Sequence, residues 1–270
     1  MNKKTDSNLI LTEKKDGIMT IYLNRPEKRN ALNPEIMVDL ENSFSIASVD
    51  PEVKVIILAG KGKVFSAGID LFEFPSMFIE NINEKGTSWF RNYLTDLHYS
   101  LNKIESLEKP VICAIHGHTI GMGLELALTA DFRIASKDTR IGIPEVQLGL
   151  IPDVGGTTRL TRMIGVIKAK ELIMTGRLIS ADEAFRINLV NEVTPEGEEL
   201  DASIKLAQEI IDNCSPTAVG LSKKVIDLSR DIDKNTSLEM EGIVQSIIFG
   251  DMDKVIEGFQ AKIEERKPKF

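Results

Sequence analysis

Two short segments set the strongest limit on what this chain can fold into: "VKVIILAG" (53–60) and "KPVICAIHG" (109–117). Both are apolar, rich in β-branched residues and too short to be globular helices. A strand that alternates apolar and polar residues can leave one face in water. A continuous apolar strand must be covered on both faces. Such strands imply a largely parallel sheet with further layers packed above and below it. "DFRIAS" (131–136) reads as a third strand of the same kind.

The surrounding segments fit a mixed α/β core. "LILTEKKDGIMTIYLN" alternates on both sides of Asp16-Gly17, which predicts a hairpin. Asn33-Pro34 precedes a helical apolar stripe and reads as an N-cap with proline at the first helical position. "TRLTRMIGVIKAKELIMTG" reads as one helix, and Ser180 to Glu183 as a capping box. The stretch from Leu71 to Leu107 is helical but irregular. From about residue 200, four helical patterns follow with no strand between them. Ser215-Pro216 and Thr236 to Glu239 supply their start signals. The expected division is a core over residues 1–200, carrying the active site, and a helical oligomerisation region over 201–270.

Several function classes are excluded or disfavoured. The formal net charge of −8 argues against a nucleic-acid partner, which calls for a basic face. No apolar run approaches the roughly 20 residues that a membrane helix needs. The N-terminal "MNKKTDSNLILTEKKDG" lacks the apolar stretch of a secretory signal. Cys113 and Cys214 form neither a metal spacing nor a disulfide framework, which fits a cytoplasmic protein. His98, His116 and His118 give no metal-ligand pair, so no metal is expected.

Three carboxylates stand out. Glu125 lies in "GHTIGMGLELALTA" (117–130), which reads as strand, turn and then a helix apolar on every side. No Lys or Arg occupies a helical neighbour position, so a buried Glu125 would be unpaired and a candidate acid or base. The plainer alternative is a partly exposed carboxylate favoured by the helix dipole. Glu145 follows Pro144 in an apolar, glycine-punctuated loop, where it either acts chemically or closes a surface turn. Asp153, ahead of Gly155-Gly156, reads as an N-cap for the next helix or as a third acid. "FSAGIDL" places small residues where a ligand can approach the backbone. Ser66 lacks a nucleophile elbow around it, and "GMG" lacks the rest of a dinucleotide fingerprint.

Six segments, in order along nearly the whole chain, resemble the enoyl-CoA hydratase/isomerase (crotonase) superfamily. They are "NRPEKRNAL", "FSAGIDL", "KPVICAIHGHTIGMGLELALTADFRIAS", "IGIPEVQLGLIPDVGGTTRLTRMIG", "GRLISADEAFRINLVNEV" and "EGFQAKIEERKPKF". The resemblance implies an α/β spiral of repeated ββα units with a C-terminal helical trimerisation region, assembled as a homotrimer or a dimer of trimers. It implies an acyl-CoA thioester substrate and no cofactor. It puts the thioester oxygen in an oxyanion hole made by the backbone N–H groups of Ile69 and Met122. Met122 stands where hydratases of the family commonly have glycine. Glu125 and Glu145 fall on the family's two catalytic glutamates. Substrate and CoA contacts are implied for Ala31, Ala67, Gly68, Asp70, Leu71 and Gly121. Cationic contacts to CoA are implied for Arg25, Lys28 and Arg29, with Lys262, Arg266 and Lys267 reaching a neighbouring subunit.

The leading expectation is a 2-enoyl-CoA hydratase. A dienoyl-CoA isomerase of the same superfamily is the alternative, because Asp153 matches a third carboxylate of that branch. Against it, that branch usually has Asp where this chain has Glu125. A non-catalytic acyl-CoA- or RNA-binding protein on the same fold is the alternative from another class.

Overall fold

A computed structural model describes residues 9–270. Residues 1–8, the start of the segment read as lacking a secretory signal, lie outside the described residues. Strands β1 (Ile10–Lys15) and β2 (Ile18–Leu23) form the expected hairpin. Asp16 and Gly17 turn it with φ of 49° and 79°, the paired positive values that a two-residue turn matching strand twist demands. Helix α1 (Pro34–Val49) starts where expected, with Asn33 Oδ1 accepting from the Ile36 N–H at 3.0 Å. Strand β3 (Val55–Gly60) returns parallel to β2. Helices α2 (Phe74–Lys85) and α3 (Thr87–Glu105) then account for the irregular stretch, broken at Gly86.

The chain now alternates between two sheets. β4 (Val111–Ile115) joins β3, and β5 (His118–Ile120) leaves for a second sheet. Helix α4 (Met122–Ala127) follows. β6 (Phe132–Ser136) rejoins the first sheet beside β4, and β7 (Arg140–Gly142) pairs with β5 in the second. Helix α5 (Gly156–Thr175) comes next, then β8 (Ile179–Ser180), α6 (Ala181–Arg186) and β9 (Glu192–Thr194). The result is a six-stranded sheet, β1-β2-β3-β4-β6-β9, and a three-stranded sheet, β5-β7-β8. The repeated strand-strand-helix step is the spiral implied by the resemblance.

Helices α7 (Glu199–Asn213), α8 (Pro216–Ser229), α9 (Lys234–Ile248) and α10 (Met252–Ile263) complete the chain. α7 begins at Glu199 and packs on the large sheet. Ile57, Ile112, Ala114 and Ile134 face Ala207 and its neighbours Leu206 and Ile210 on α7. The alternate residues Ile56, Leu58, Cys113 and Ile115 face the other way, toward α1, α3 and the second sheet. Each fully buried side chain of this size contributes about 1.5–3 kcal/mol. This two-sided burial is why β3 and β4 carry no polar alternation.

Two start signals and one helix interior are corrected. α9 begins at Lys234 and is capped by Asp233, which accepts from the N–H groups of Asn235 and Thr236, so Thr236 is not the cap. The capping box at Ser180 is half formed: Ser180 accepts from the Glu183 N–H at 3.2 Å, while the Glu183 carboxylate pairs with Arg177. α5 is kinked at Gly165, where φ is 78°.

Candidate active site

Two chain crossings build the site. Leu32 pairs as a parallel bridge with Ile69: its N–H donates to the Gly68 carbonyl at 2.7 Å, and its carbonyl accepts from the Asp70 N–H at 2.9 Å. In that pattern the N–H of Ile69 itself points the opposite way. Ser66 pairs with Thr119 in a second parallel bridge, which lays the 66–69 segment along β5. β5 runs into Gly121, whose φ of 55° turns the chain into α4. A Cβ on Gly121 would lie 2.8 Å from Glu145 Oε1, so any side chain there would collide with the carboxylate. Met122 is the first residue of α4, where N–H groups lack helical partners and the dipole is positive. Among the described residues, neither the Ile69 nor the Met122 N–H has a hydrogen-bond partner within the chain.

These segments enclose a cleft of about 210 Å³. Ala67, Gly68, Ile69 and Leu71 line one side, Gly121, Met122 and Glu125 the second, and Glu145 with Leu148 the third. Six of the sequence-predicted residues thus share one space with both glutamates. Ala31 and Asp70 are buried beside this segment but do not line the cleft.

Glu125 is only 1% exposed. Its Oε1 accepts from the Val154 N–H at 2.9 Å and the Gly156 N–H at 2.7 Å. Burial pushes its pKa up to about 8, helped by the charge of Glu145, while the two N–H groups oppose the rise. Glu145 sits in a short 3-10 turn, Glu145–Leu148, that follows Pro144. Its Oε2 is buried without a partner. Burial pushes its pKa up to about 7, helped by the charge of Asp153. Asp153 is raised too, again chiefly by burial. The three carboxylates therefore raise one another's cost of ionisation.

The expectation that Asp153 caps α5 is corrected. Gly155 holds the cap position with no side-chain bond, and Glu125 supplies the carboxylate that accepts from the first turn. Arg25 is placed differently from a solvent-facing phosphate ligand. It is buried, with its guanidinium 2.6 Å from Asp70 and 2.7 Å from Glu73. Burial pushes the Asp70 carboxyl up, but Arg25 and the N–H groups of Phe72 and Glu73 outweigh it and hold the pKa below the ordinary value. This pair fixes the segment that carries Ile69. Lys28 lies with its amine 5.5 Å from the Phe72 ring. Lys262 is exposed on α10 and outside the lining of the cleft, Arg266 pairs with Glu257, and Lys267 pairs with Asp212.

Arg29 opens onto a second pocket of about 560 Å³ that also presents Lys61, Lys63, His118 and Arg140 against Glu27 and Asp138. Sequence reasoning missed Lys61, Lys63 and Arg140 as ligand contacts. Lys61 and Lys63 immediately precede "VFSAGID" and could have been found from that position; Arg140 could not, because its neighbour His118 is brought to it only by β5–β7 pairing. Among the described residues, no group of three or more His, Cys, Asp or Glu is arranged to hold a metal.

The sequence pattern of the family described as enoyl-CoA hydratase/isomerase matches residues 13–270. The crotonyl-CoA hydratase of Syntrophomonas wolfei is 38% identical over 264 residues, covering 97% of each chain. The short-chain-enoyl-CoA hydratase of Clostridium acetobutylicum is 37% identical, covering 96% of each. The crystal structure of an enoyl-CoA hydratase from Bacillus anthracis superposes with a TM-score of 0.88 at 35% identity, covering 97% of this chain and 98% of that one. With the spiral of paired strands and the two glutamates facing one cleft, the matches agree over nearly the whole length: this chain belongs to the enoyl-CoA hydratase/isomerase family.

Proposed function

We propose that this chain is a 2-enoyl-CoA hydratase. The observation that carries the reading is one small cleft in which a buried and a half-buried glutamate, both with raised pKa values, meet two unpaired backbone N–H groups. The thioester oxygen accepts hydrogen bonds from the Ile69 and Met122 N–H groups. Negative charge that develops on that oxygen as water adds is stabilised by several kcal/mol, with help from the α4 dipole. Water attacks the β carbon, Glu125 takes its proton, and Glu145 gives a proton to the α carbon. One water is consumed, one C–O and one C–H bond form, and no electron leaves the substrate, so the chemistry calls for no cofactor.

The acid and base roles follow from the coupling. Two neighbouring carboxylates, one buried and one half-buried, share a proton near neutral pH, because the second ionisation works against the first charge. Burial outweighs the two N–H groups on Glu125 Oε1, so its pKa of about 8 stands above the value of about 7 at Glu145 in the free site. Hydration needs the opposite distribution, and the hydrogen bonds favour it: two donors meet the Glu125 anion, and Glu145 has an unpartnered Oε2 to carry the proton. Met122 keeps the N–H that the hole requires, and its side chain packs in the main apolar core.

The basic pocket around Arg29, Lys63 and Arg140 supports binding of the CoA phosphates. It shares β5 with the cleft: His118 lines one and Ile120 the other, so they lie within roughly 10 Å at about 3.3 Å per residue. A trimer or dimer of trimers is supported by apolar side chains that α9 and α10 leave in water, including Ile247, Phe259 and Ile263. The unpaired Cys113 and Cys214 support a reducing compartment such as the cytoplasm. Among the described residues, no helix is long and apolar enough to cross a membrane.

The test is direct. Purified protein added to crotonyl-CoA should abolish the absorbance of the conjugated enoyl thioester, and a panel of chain lengths should show a short-chain optimum. A second reading, dienoyl-CoA isomerisation, is favoured by one observation: Asp153 is electrostatically coupled to both glutamates.

A further inference from the structure

The two N–H groups on Glu125 belong to two peptide units, and both units are gripped at their other end. In the Asp153–Val154 peptide, the N–H donates to Glu125 and the carbonyl accepts from His98 Nε2 at 2.5 Å. In the Gly155–Gly156 peptide, the N–H donates to Glu125 and the carbonyl accepts from the Arg159 N–H at 2.8 Å. A peptide unit is planar, so fixing its carbonyl direction fixes its N–H direction. Since a carbonyl only accepts, His98 Nε2 carries the hydrogen.

The grip comes largely from one face of α3. His98, Asn102 and Glu105 follow one another at helical spacing. Asn102 Oδ1 accepts from Arg159 Nη2 at 2.6 Å, and Glu105 from Arg159 Nε at 2.9 Å. Arg159 Nη1 in turn donates to the Val154 carbonyl at 3.2 Å. The buried guanidinium thus ties α3 to the loop between Pro152 and Gly156. That loop has no room for play: a Cβ on Gly156 would lie 2.8 Å from both Glu125 Oε1 and Pro152 Cβ.

We propose that His98 is a positioning residue: through the Asp153–Val154 peptide it sets the direction of an N–H that holds the Glu125 carboxylate, with Arg159 of α5, held by Asn102 and Glu105 of α3, bracing the same loop. This rests on the reading of Glu125 as an acid–base group. His98 touches neither the cleft nor Glu125 directly, so a motif centred on the glutamates does not find it. A hydrogen-bonded carbonyl also polarises its own N–H, which strengthens the bond to Glu125.

The experiment compares His98→Leu, His98→Asn and His98→Gln with wild type and with Glu125→Gln, on crotonyl-CoA, across pH. Leu has no donor and Asn is too short to reach, whereas Gln can donate from its amide nitrogen. Leu and Asn should lower kcat about 10-fold while KM stays within about twofold, as expected when geometry rather than binding is lost. With a weaker N–H bond the Glu125 anion is less favoured, so the ionisation limb of kcat should move to higher pH. Glu145, Asp153 and His98 itself are the titratable groups facing it. Gln should restore most of kcat and the wild-type limb. Wild-type kcat and profile in both Leu and Asn would overturn the inference. So would an equal loss in all three variants with an unmoved limb, which marks a purely structural role. Wild-type turnover by Glu125→Gln would instead remove the catalytic reading beneath it.

Discussion

Glu125 Oε1 accepts from the Gly156 N–H at 2.7 Å, joining α4 to the first turn of α5. A single carboxylate oxygen therefore holds a helix start while the side chain faces the cleft. Glu125→Gln and Glu145→Gln each test the chemistry with almost no change of volume. Each should lower hydration of crotonyl-CoA by at least ~100-fold, as expected for loss of a positioned acid or base. Circular dichroism should show an unchanged fold. Near-wild-type turnover in either variant would remove that residue from the mechanism.

The same carboxylates should cost stability. Their folded pKa values, about 8 for Glu125 and about 7 for Glu145, lie above those of an unfolded chain. Between the ordinary carboxylate range and these values the folded state binds more protons than the unfolded state. Stability is therefore full below the unfolded pKa and is lost as pH rises through 7 and 8. Glu125→Gln and Glu145→Gln, which cannot ionise, should melt higher than wild type at pH 8.5, by an amount on the order of 1–3 kcal/mol. The difference should shrink toward pH 5. Equal melting curves at both pH values would show that neither group is raised.

Gly156→Ala perturbs the contact without replacing a titratable group. The new methyl would fall 2.8 Å from Glu125 Oε1, so the carboxylate or the helix start must move. A displacement near 1 Å at a catalytic group costs up to ~100-fold, and the loss should appear in kcat rather than KM. Full activity would mean that Glu125 does not need the Gly156 N–H.

Much of this was readable in the sequence, and the missing parts share a cause. Asp16-Gly17 announces its hairpin because the turn chemistry is local. The runs at 55–60 and 111–115 announce two-sided burial because every residue is apolar. Glu125 announces itself because an apolar helix gives it no local partner. The capping of α5 by Glu125, from 31 positions away, leaves no local spacing to read, and Asp153 stands where a local cap should be. Arg25 looks like surface charge for the same reason: its partner Asp70 is 45 residues on. Likewise, α7 has the same amphipathic pattern as α8 to α10. Only the sheet residues opposite it decide that it joins the core.

The exposed apolar side chains of α9 and α10 lead to a prediction about assembly. Phe259 is 68% and Ile263 80% exposed in the single chain. Light scattering at micromolar concentration should give the mass of a trimer or of two trimers. Phe259→Asp with Ile263→Asp should shift the mass downward, because charges in an apolar interface go unpaired. A stable wild-type monomer would contradict the assembly and leave the apolar face unexplained.

Asp153 separates the two enzymatic readings. Its side chain caps nothing, since Glu125 takes the N–H groups of Val154 and Gly156, so its carboxylate contributes little to the helix start. Asp153→Asn should hold or raise stability near pH 8, because it removes a half-buried charge that adds to the cost of ionising both glutamates. In a hydratase only two carboxylates need to face the substrate, and the variant should keep most of its activity on crotonyl-CoA. Removing the charge should also ease ionisation of Glu145, whose pKa the Asp153 charge helps to raise, and so move that limb of the pH profile downward. In a dienoyl isomerase, protons move between distant carbons of a longer conjugated system, and a third carboxylate has work to do at the far end. The paired measurement is activity on an enoyl-CoA and on a 3,5-dienoyl-CoA, with melting temperature as the control. If wild type isomerises the dienoyl thioester far faster than it hydrates any enoyl thioester, and Asp153→Asn abolishes this without unfolding, the isomerase reading replaces the hydratase.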